Sequence, residues 1–352
     1  MRSPMRRTLL LSLTVVPGFA FAEVPRVVTD IPPVGAIAKR VMQGAGEPTV
    51  LVPPGASPHD YALRPSEARA LAAADVVVWV GHGLTGFLED PIEALSEDAA
   101  VLELMDAPLA LLPYREGVSF DDHDHDQDHA DHDDHDKEEG HDDHDHAKEE
   151  GHHDHDHAKE EGHDDHDHAG EEGHDDHAGH DHAGAVDPHL WLDPANAVQA
   201  AAALAELLGS RDPANAELYA ANASAFAGEM TALEVEVTEI LAPARGQDFI
   251  VLHDAFHYFE DAFEIEATGS VIDGEGSSPG ARRLSALRAT LSETQITCAF
   301  AEPQMNTSLI ETAVEGQDVR IATLDPLGDG SDYAGLIRTL ATSMADCLTG
   351  KN

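Results

Sequence analysis

Five histidines stand apart from the rest of the 352-residue chain: His59, His82, His189, His253 and His257. The other 19 of the 24 crowd into residues 121–182. Imidazole is a borderline donor that suits Zn2+, and three neutral imidazoles with one carboxylate or water complete a tetrahedron with Zn–N near 2.0–2.1 Å. His59 follows an apolar run through the loop Pro53-Pro54-Gly55-Ala56-Ser57-Pro58, and His253 directly follows Phe249-Ile250-Val251-Leu252. Asp325 directly follows Arg320-Ile321-Ala322-Thr323-Leu324, and His189 sits between the turns Asp187-Pro188 and Asp193-Pro194. Ligands of open α/β sheets collect beyond the carboxyl ends of strands. His59, His189, His253 and Asp325 are therefore the candidate coordination set, two from each half of the fold. His82, in Gly81-His82-Gly83, is read as support for that set, a surface residue or a replacement ligand. His257, one helical turn beyond His253, is read as a core or rim residue.

The elements that must position these residues follow from periodicity. Short β-branched runs alternate with longer stretches whose apolar residues recur at helical spacing, the signature of parallel sheets covered by helices. Strands are expected at Val27–Thr29, Val50–Val52, Val76–Val80, Val101–Leu104, Phe249–Leu252, Cys298–Ala301 and Val319–Thr323. Helices are expected at Ile37–Met42, Ser66–Ala74 with Ser66 as its cap, Leu84–Leu95, Pro194–Leu208, Asp254–Phe263, Arg282–Leu291, Ser308–Val314 and Tyr333–Leu348. One helical stretch, 213–241, is long enough to span roughly 40 Å and serves as a spine. The fold class is α/β: an N-terminal lobe over 23–212, the linking helix over 213–241 and a C-terminal lobe over 242–352.

The ends and the middle of the chain define its setting. Residues 1–22 combine Arg2, Arg6 and Arg7 with an apolar run and a small-x-small ending, Ala20-Phe21-Ala22, which marks a secretory signal peptide cleaved after Ala22. No apolar run reaches the ~20 residues of a membrane span, and no Cys follows the signal to carry a lipid, so a periplasmic location is expected. The net charge of −48 excludes a nucleic-acid binder, since phosphate is repelled, and favours cations. Residues 121–182 hold 28 of the 68 acids and three Lys, with an eleven-residue repeat starting at Lys137, Lys148 and Lys159. Such a segment, taken as the loop 121–183, cannot bury apolar surface and is expected to be disordered. Its imidazoles, among them His123, His125, His141, His144, His146, His155, His157, His166 and His168, form a candidate low-affinity zinc collector. The two cysteines, Cys298 and Cys347, pair as one disulfide in an oxidising compartment or stand as two buried thiols.

Several ordered motifs together resemble the zinc-binding receptors of ABC importers, the ZnuA family. They are Gly55-Ala56-Ser57-Pro58-His59-Asp60-Tyr61 with Leu63-Arg64-Pro65-Ser66, then His189-Leu190-Trp191-Leu192-Asp193-Pro194, His253-Asp254-Ala255-Phe256, Ala301-Glu302-Pro303-Gln304 and Thr323-Leu324-Asp325-Pro326-Leu327-Gly328. The resemblance covers nearly all of the chain after the signal except the tract. It implies that His59, His189 and His253 bind Zn2+ as transported ligand, that two lobes bridged by a rigid helix close only slightly, and that the partner is an ABC transporter permease. Manganese-binding relatives carry Glu where His253 stands. Some zinc receptors carry Glu where this chain has Pro58, which leaves the fourth ligand between Asp325 and water. The resemblance also pairs Cys298 with Cys347 and makes an acidic His-rich insertion characteristic. The chain is expected to be a monomer and not an enzyme. A metallohydrolase would use the same three histidines, but no His-Glu-x-x-His helix is present. A periplasmic metal buffer and a manganese or iron receptor of the same fold are the remaining competing functions.

Overall fold

Four short runs near the start become a parallel sheet: β1 (Val27–Thr29), β2 (Thr49–Val50), β3 (Val76–Trp79) and β4 (Ala100–Glu103), in the order β2-β1-β3-β4. Four later ones, β5 (Phe249–His253), β6 (Gly269–Ile272), β7 (Cys298–Ala301) and β8 (Arg320–Thr323), form a second parallel sheet in the order β6-β5-β7-β8. The computed structural model describes residues 24–115, 186–272, 284–285, 287–289, 291 and 296–351. The expected signal peptide, the acidic tract with its nine collector histidines, and residues 282, 283, 286 and 290 of the helix expected over Arg282–Leu291 lie outside those residues; the described remainder of that stretch is helical. The central strands are covered on both faces, which is why Val76–Trp79 and Phe249–His253 are fully buried, near-continuous apolar runs.

Helices α1 (Pro32–Val41), α2 (Pro65–Ala72), α3 (His82–Thr85) and α4 (Glu89–Leu95) precede the tract. After it come α5 (Pro194–Arg211), α6 (Ala216–Leu241), α7 (His257–Phe263), α8 (Ser308–Ala313) and α9 (Tyr333–Thr349). The α6 spine buries Tyr219, Ala223, Phe226, Met230, Leu233, Val237 and Leu241, a single stripe at spacings of three and four. It packs on α5, α1 and α9. One apolar core runs without interruption from Val27 and Val76 through α6 to Phe249 and Ile337, so the two sheets share a joint rather than a loose linker. The disulfide Cys298–Cys347 fastens β7 to α9 across a separation of 49 residues, and closing a loop of that size contributes roughly 4 kcal/mol in the chain-entropy model.

Several boundaries differ from those expected. Helix α1 begins at Pro32, not Ile37, because Pro32 and Pro33 occupy the first helical positions, where their missing N–H groups cost nothing. Gly35 within it is required by packing: a Cβ there would lie 2.4 Å from Val50 Cγ2. Helix α2 is not capped by Ser66. Pro65 starts it, Arg64 is the capping position, and the Glu67 carboxylate reaches back to accept Arg64 N–H at 2.7 Å. Strand β3 stops at Trp79 because Val80 N–H turns to the Asp30 carboxylate, 2.7 Å away. Strand β6 is an addition to the expected set, since Gly-Ser-Val-Ile has neither length nor alternation. Among the described residues, no helix is long and apolar enough to cross a membrane.

Candidate metal centre

His253 is the last residue of β5, 3% exposed, fixed by the ladder on both sides of the strand. Parallel pairing of Val251 with Phe300 carries the neighbouring strand β7 forward to Glu302, level with His253. The Glu302 carboxylate lies 3.1 Å from His253 Nδ1, so Nδ1 carries the proton and Nε2 the lone pair. His253 Nε2 is buried with no hydrogen-bond partner among the described residues. Burial by itself favours the neutral ring, but the charge and hydrogen bond of Glu302, with Asp254 and Asp187, outweigh it and raise the His253 pKa above 6.5.

His189 arrives differently. It caps a 3-10 turn, Leu190–Leu192, that runs into α5 through Asp193, whose side chain accepts Ala195 N–H. Trp191 is fully buried; its Nε1 donates to Pro326 O at 2.8 Å, and its carbonyl accepts from the Tyr333 hydroxyl at 2.7 Å. These contacts pin the turn against the segment between β8 and α9. Asp187 Oδ1 accepts the His189 backbone N–H at 2.9 Å and lies 2.7 Å from its Nδ1, so this ring too presents Nε2 as acceptor. Burial, with a contribution from the Asp254 charge, pushes the Asp187 carboxyl up to about 7 against the opposing His189 N–H.

His59 hangs on the loop after β2, whose bend uses Gly55 at φ +82, and it is half-buried. Its backbone N–H donates to Ser57 Oγ at 3.3 Å. Three imidazoles thus converge from three parts of the chain. Ring centroids are 5.0 Å apart for His189–His253, 5.5 Å for His59–His253 and 5.8 Å for His59–His189. One ring nitrogen from each lies within 4.8 Å of the others. The cavity they line, floored by Trp191 and Leu327, measures about 20 Å3, room for a single water-sized occupant. Larger grooves of about 270 and 410 Å3 lie elsewhere, so size does not track the chemistry.

Asp325 is not part of this group. Its Oδ1 accepts Gln304 Nε2 at 2.6 Å and Leu327 N–H at 3.0 Å, which ties that oxygen to the turn beyond β8. Gln304 lines the cavity instead, with its Oε1 buried and without a hydrogen-bond partner among the described residues. His82 stands clear of the centre, its side chain 71% exposed and 3.8 Å from Glu103. His257 lies at the rim, 3.9 Å from the second Asp187 oxygen, its pKa lowered by burial and then by the Arg115 charge. Sequence reasoning missed Asp187 and Glu302 as partners of the imidazoles. Both were visible: one sits two residues before His189, and the other directly follows the strand that neighbours β5.

Two parallel sheets meeting at a cleft walled by three convergent imidazoles define a class: a two-lobed α/β protein whose cleft can hold one metal ion. The chain matches the ZnuA family, described as the periplasmic component A of the zinc-uptake complex, over residues 27–347. It is 44% identical over 335 residues to the high-affinity zinc uptake system protein ZnuA of Paracoccus denitrificans, covering 94% of this chain and 93% of that one. The protein of the same name from Yersinia pestis is 35% identical over 328 residues, covering 92% and 91%. The chain therefore belongs to the ZnuA family. A crystal structure of ZnuA superposes with a TM-score of 0.68 at 21% identity, covering 92% of this chain and 99% of the other. The periplasmic zinc-binding protein TroA of Treponema pallidum gives 0.65 at 18% identity with the same coverage, which extends the likeness of fold.

Proposed function

We propose that this chain captures Zn2+ in the periplasm with His59, His189 and His253 and delivers it to the permease of an ABC-type importer. The observation that carries the reading is the convergence of three ring nitrogens within 4.8 Å. A tetrahedral zinc with Zn–N near 2.05 Å needs nitrogens about 3.3 Å apart, so side-chain adjustments on the order of 1 Å complete the shell. Water, or Asp325 through the carboxylate oxygen not held by Gln304 and Leu327, takes the fourth position. The buried carboxylates of Asp187 and Glu302 offset the charge that a dication brings to three neutral imidazoles. There is no chemical step: selectivity follows from ligand type, and acid promotes release because a protonated imidazole cannot coordinate.

In this reading the signal 1–22 is removed after Ala22, the mature chain acts as a monomer, and neither nucleic acid nor membrane insertion is involved. The lobes 23–212 and 242–352 move little about the 213–241 spine because one apolar core spans both sheets. The tract, with His123, His125, His141, His144, His146, His155, His157, His166 and His168 among its donors, collects zinc weakly. Competitive zinc titration of the full chain and of a variant lacking 121–182 tests both parts. One tight site is expected in each protein, with the weaker sites confined to the full chain. Loss of the tight site in the shortened variant overturns the assignment to the cleft.

A further inference from the structure

The residues that flank the tract are wired into the metal centre. Pro113 and Val186 form an isolated antiparallel bridge, and Asp187 N–H donates to Leu112 O at 2.9 Å. A single side chain spans the pair: the Tyr258 hydroxyl accepts Leu112 N–H at 2.9 Å and donates to Asp187 O at 2.9 Å. Tyr258 is 1% exposed and belongs to α7, the helix that follows His253. Arg115 adds a second tie from the entering flank. Its guanidinium pairs with Asp254, the residue after His253, and with Glu260 of α7, and all three side chains are almost wholly buried.

The consequence is a closed circuit. His189 is held by the Asp187 carboxylate. The Asp187 backbone is held by Leu112 and by Tyr258. Tyr258 is carried by the same strand–helix unit that carries His253. The 5.0 Å separation of the two imidazoles is therefore fixed by contacts outside the first ring of donors.

We propose that Tyr258, with the flanks 112–115 and 186–187, forms a clasp that positions His189 against His253, which makes Tyr258 a positioning residue for zinc capture. The inference rests on the reading that His189 binds zinc, and it deepens that reading. It also explains how a long insertion is tolerated between two ligands: the clasp closes its base, so the length and composition between residues 115 and 186 need not disturb the geometry.

The test uses the full chain and Zn2+ alone. Tyr258→Phe keeps the ring and removes one oxygen, leaving the half-buried Leu112 N–H and the buried Asp187 carbonyl without that partner. Its affinity at the tight site should fall about tenfold, the lower end of what loss of an outer support costs a metal site. In the metal-free protein, 15N NMR should show His189 pass from one tautomer, protonated at Nδ1, to a mixture, while His253, held by Glu302, keeps its own. Combining Tyr258→Phe with Asp187→Asn should weaken binding hardly more than Asp187→Asn alone, since both act through the same carboxylate. Arg115→Lys, which keeps the charge but loses the two-pronged pairing, should lower affinity in the same direction and serves if Tyr258→Phe does not fold. Affinity within about twofold of wild type and an unchanged His189 tautomer overturn the clasp and leave the three-imidazole reading standing. Absence of a tight site in the wild-type chain sinks that reading instead.

Discussion

The two sheets have the same strand order, each with its first strand flanked by its second and third, yet they use the end of that first strand in opposite ways. In the C-terminal sheet, β5 ends on His253, which offers a bare Nε2 to the cleft and is steadied by Glu302 from the neighbouring strand. In the N-terminal sheet, β1 runs into Asp30, which is fully buried and turned inward. Asp30 accepts Ile31 N–H at 2.8 Å, Val80 N–H at 2.7 Å and the Thr85 hydroxyl at 3.2 Å. The N-terminal sheet instead delivers an imidazole, His59, from the loop after its edge strand. Equivalent topological positions thus carry a rigid donor in one lobe and internal wiring in the other. The lesson is that a donor fixed at a strand end and a donor carried on a loop close on the ion together.

Substitutions break or sharpen that contrast. The largest effect should come from His253→Ala, followed by competition against a chromophoric chelator. Losing one of four ligands of a site worth roughly 10–16 kcal/mol reduces affinity about a hundred- to a thousandfold. His59→Ala should cost less, because water replaces a half-buried loop donor more readily than a buried one. Equal losses would erase the distinction between strand-end and loop donors.

Glu302→Gln should weaken binding at pH 7 about 10- to 100-fold, the usual cost of losing a carboxylate behind a metal-binding histidine. Its pH dependence gives a second readout. Glu302 raises the His253 pKa, so in the wild type protons compete with zinc from above 6.5 downward. Zinc affinity should therefore fall as pH falls through that raised value. In Glu302→Gln the acid limb should move to lower pH, and an unmoved limb would remove Glu302 from the account.

The smallest effect belongs to Asp30, which should alter stability and not affinity. Burial pushes its pKa up to about 6 from 3.8, against the hydrogen bonds from Val80, Ile31 and Thr85. A carboxyl with a raised folded pKa contributes stability that is complete below 3.8 and is lost as pH rises through about 6. Between pH 7 and pH 5 the metal-free wild type should gain about 1 kcal/mol from this group relative to Asp30→Asn. Chemical denaturation at the two pH values measures it. A change in tight-site zinc affinity with this substitution would contradict the division of labour between the lobes.

Much of this arrangement was legible in the residues. Central strands such as Val76–Trp79 announce themselves because burial on both faces demands an unbroken apolar run. His253 was placed at a strand end by the run that precedes it, and the convergence of His59 and His189 on it followed from motif order and the resemblance those motifs carry. What escaped was set by partners distant in sequence. Helix α7 starts at His257 rather than Asp254, because Asp254 pairs with Arg115 and Ala255 N–H folds back onto His253 O. The 213–241 stretch becomes helical only at Ala216, because Asp212 and Asn215 bond to each other and to Tyr219 in the preceding turn. Asp325, at a strand end like His253, gave the same signal from sequence. Only the Gln304 amide and the Leu327 N–H, invisible to any strand pattern, set it apart from the three imidazoles.

Anomalous diffraction at the zinc edge, on crystals of the full chain loaded with one equivalent of zinc, tests the central claim most directly. A single peak is expected between His59, His189 and His253, with all three ring nitrogens at about 2.0–2.1 Å from it. A peak elsewhere, with those rings still apart, would contradict the account.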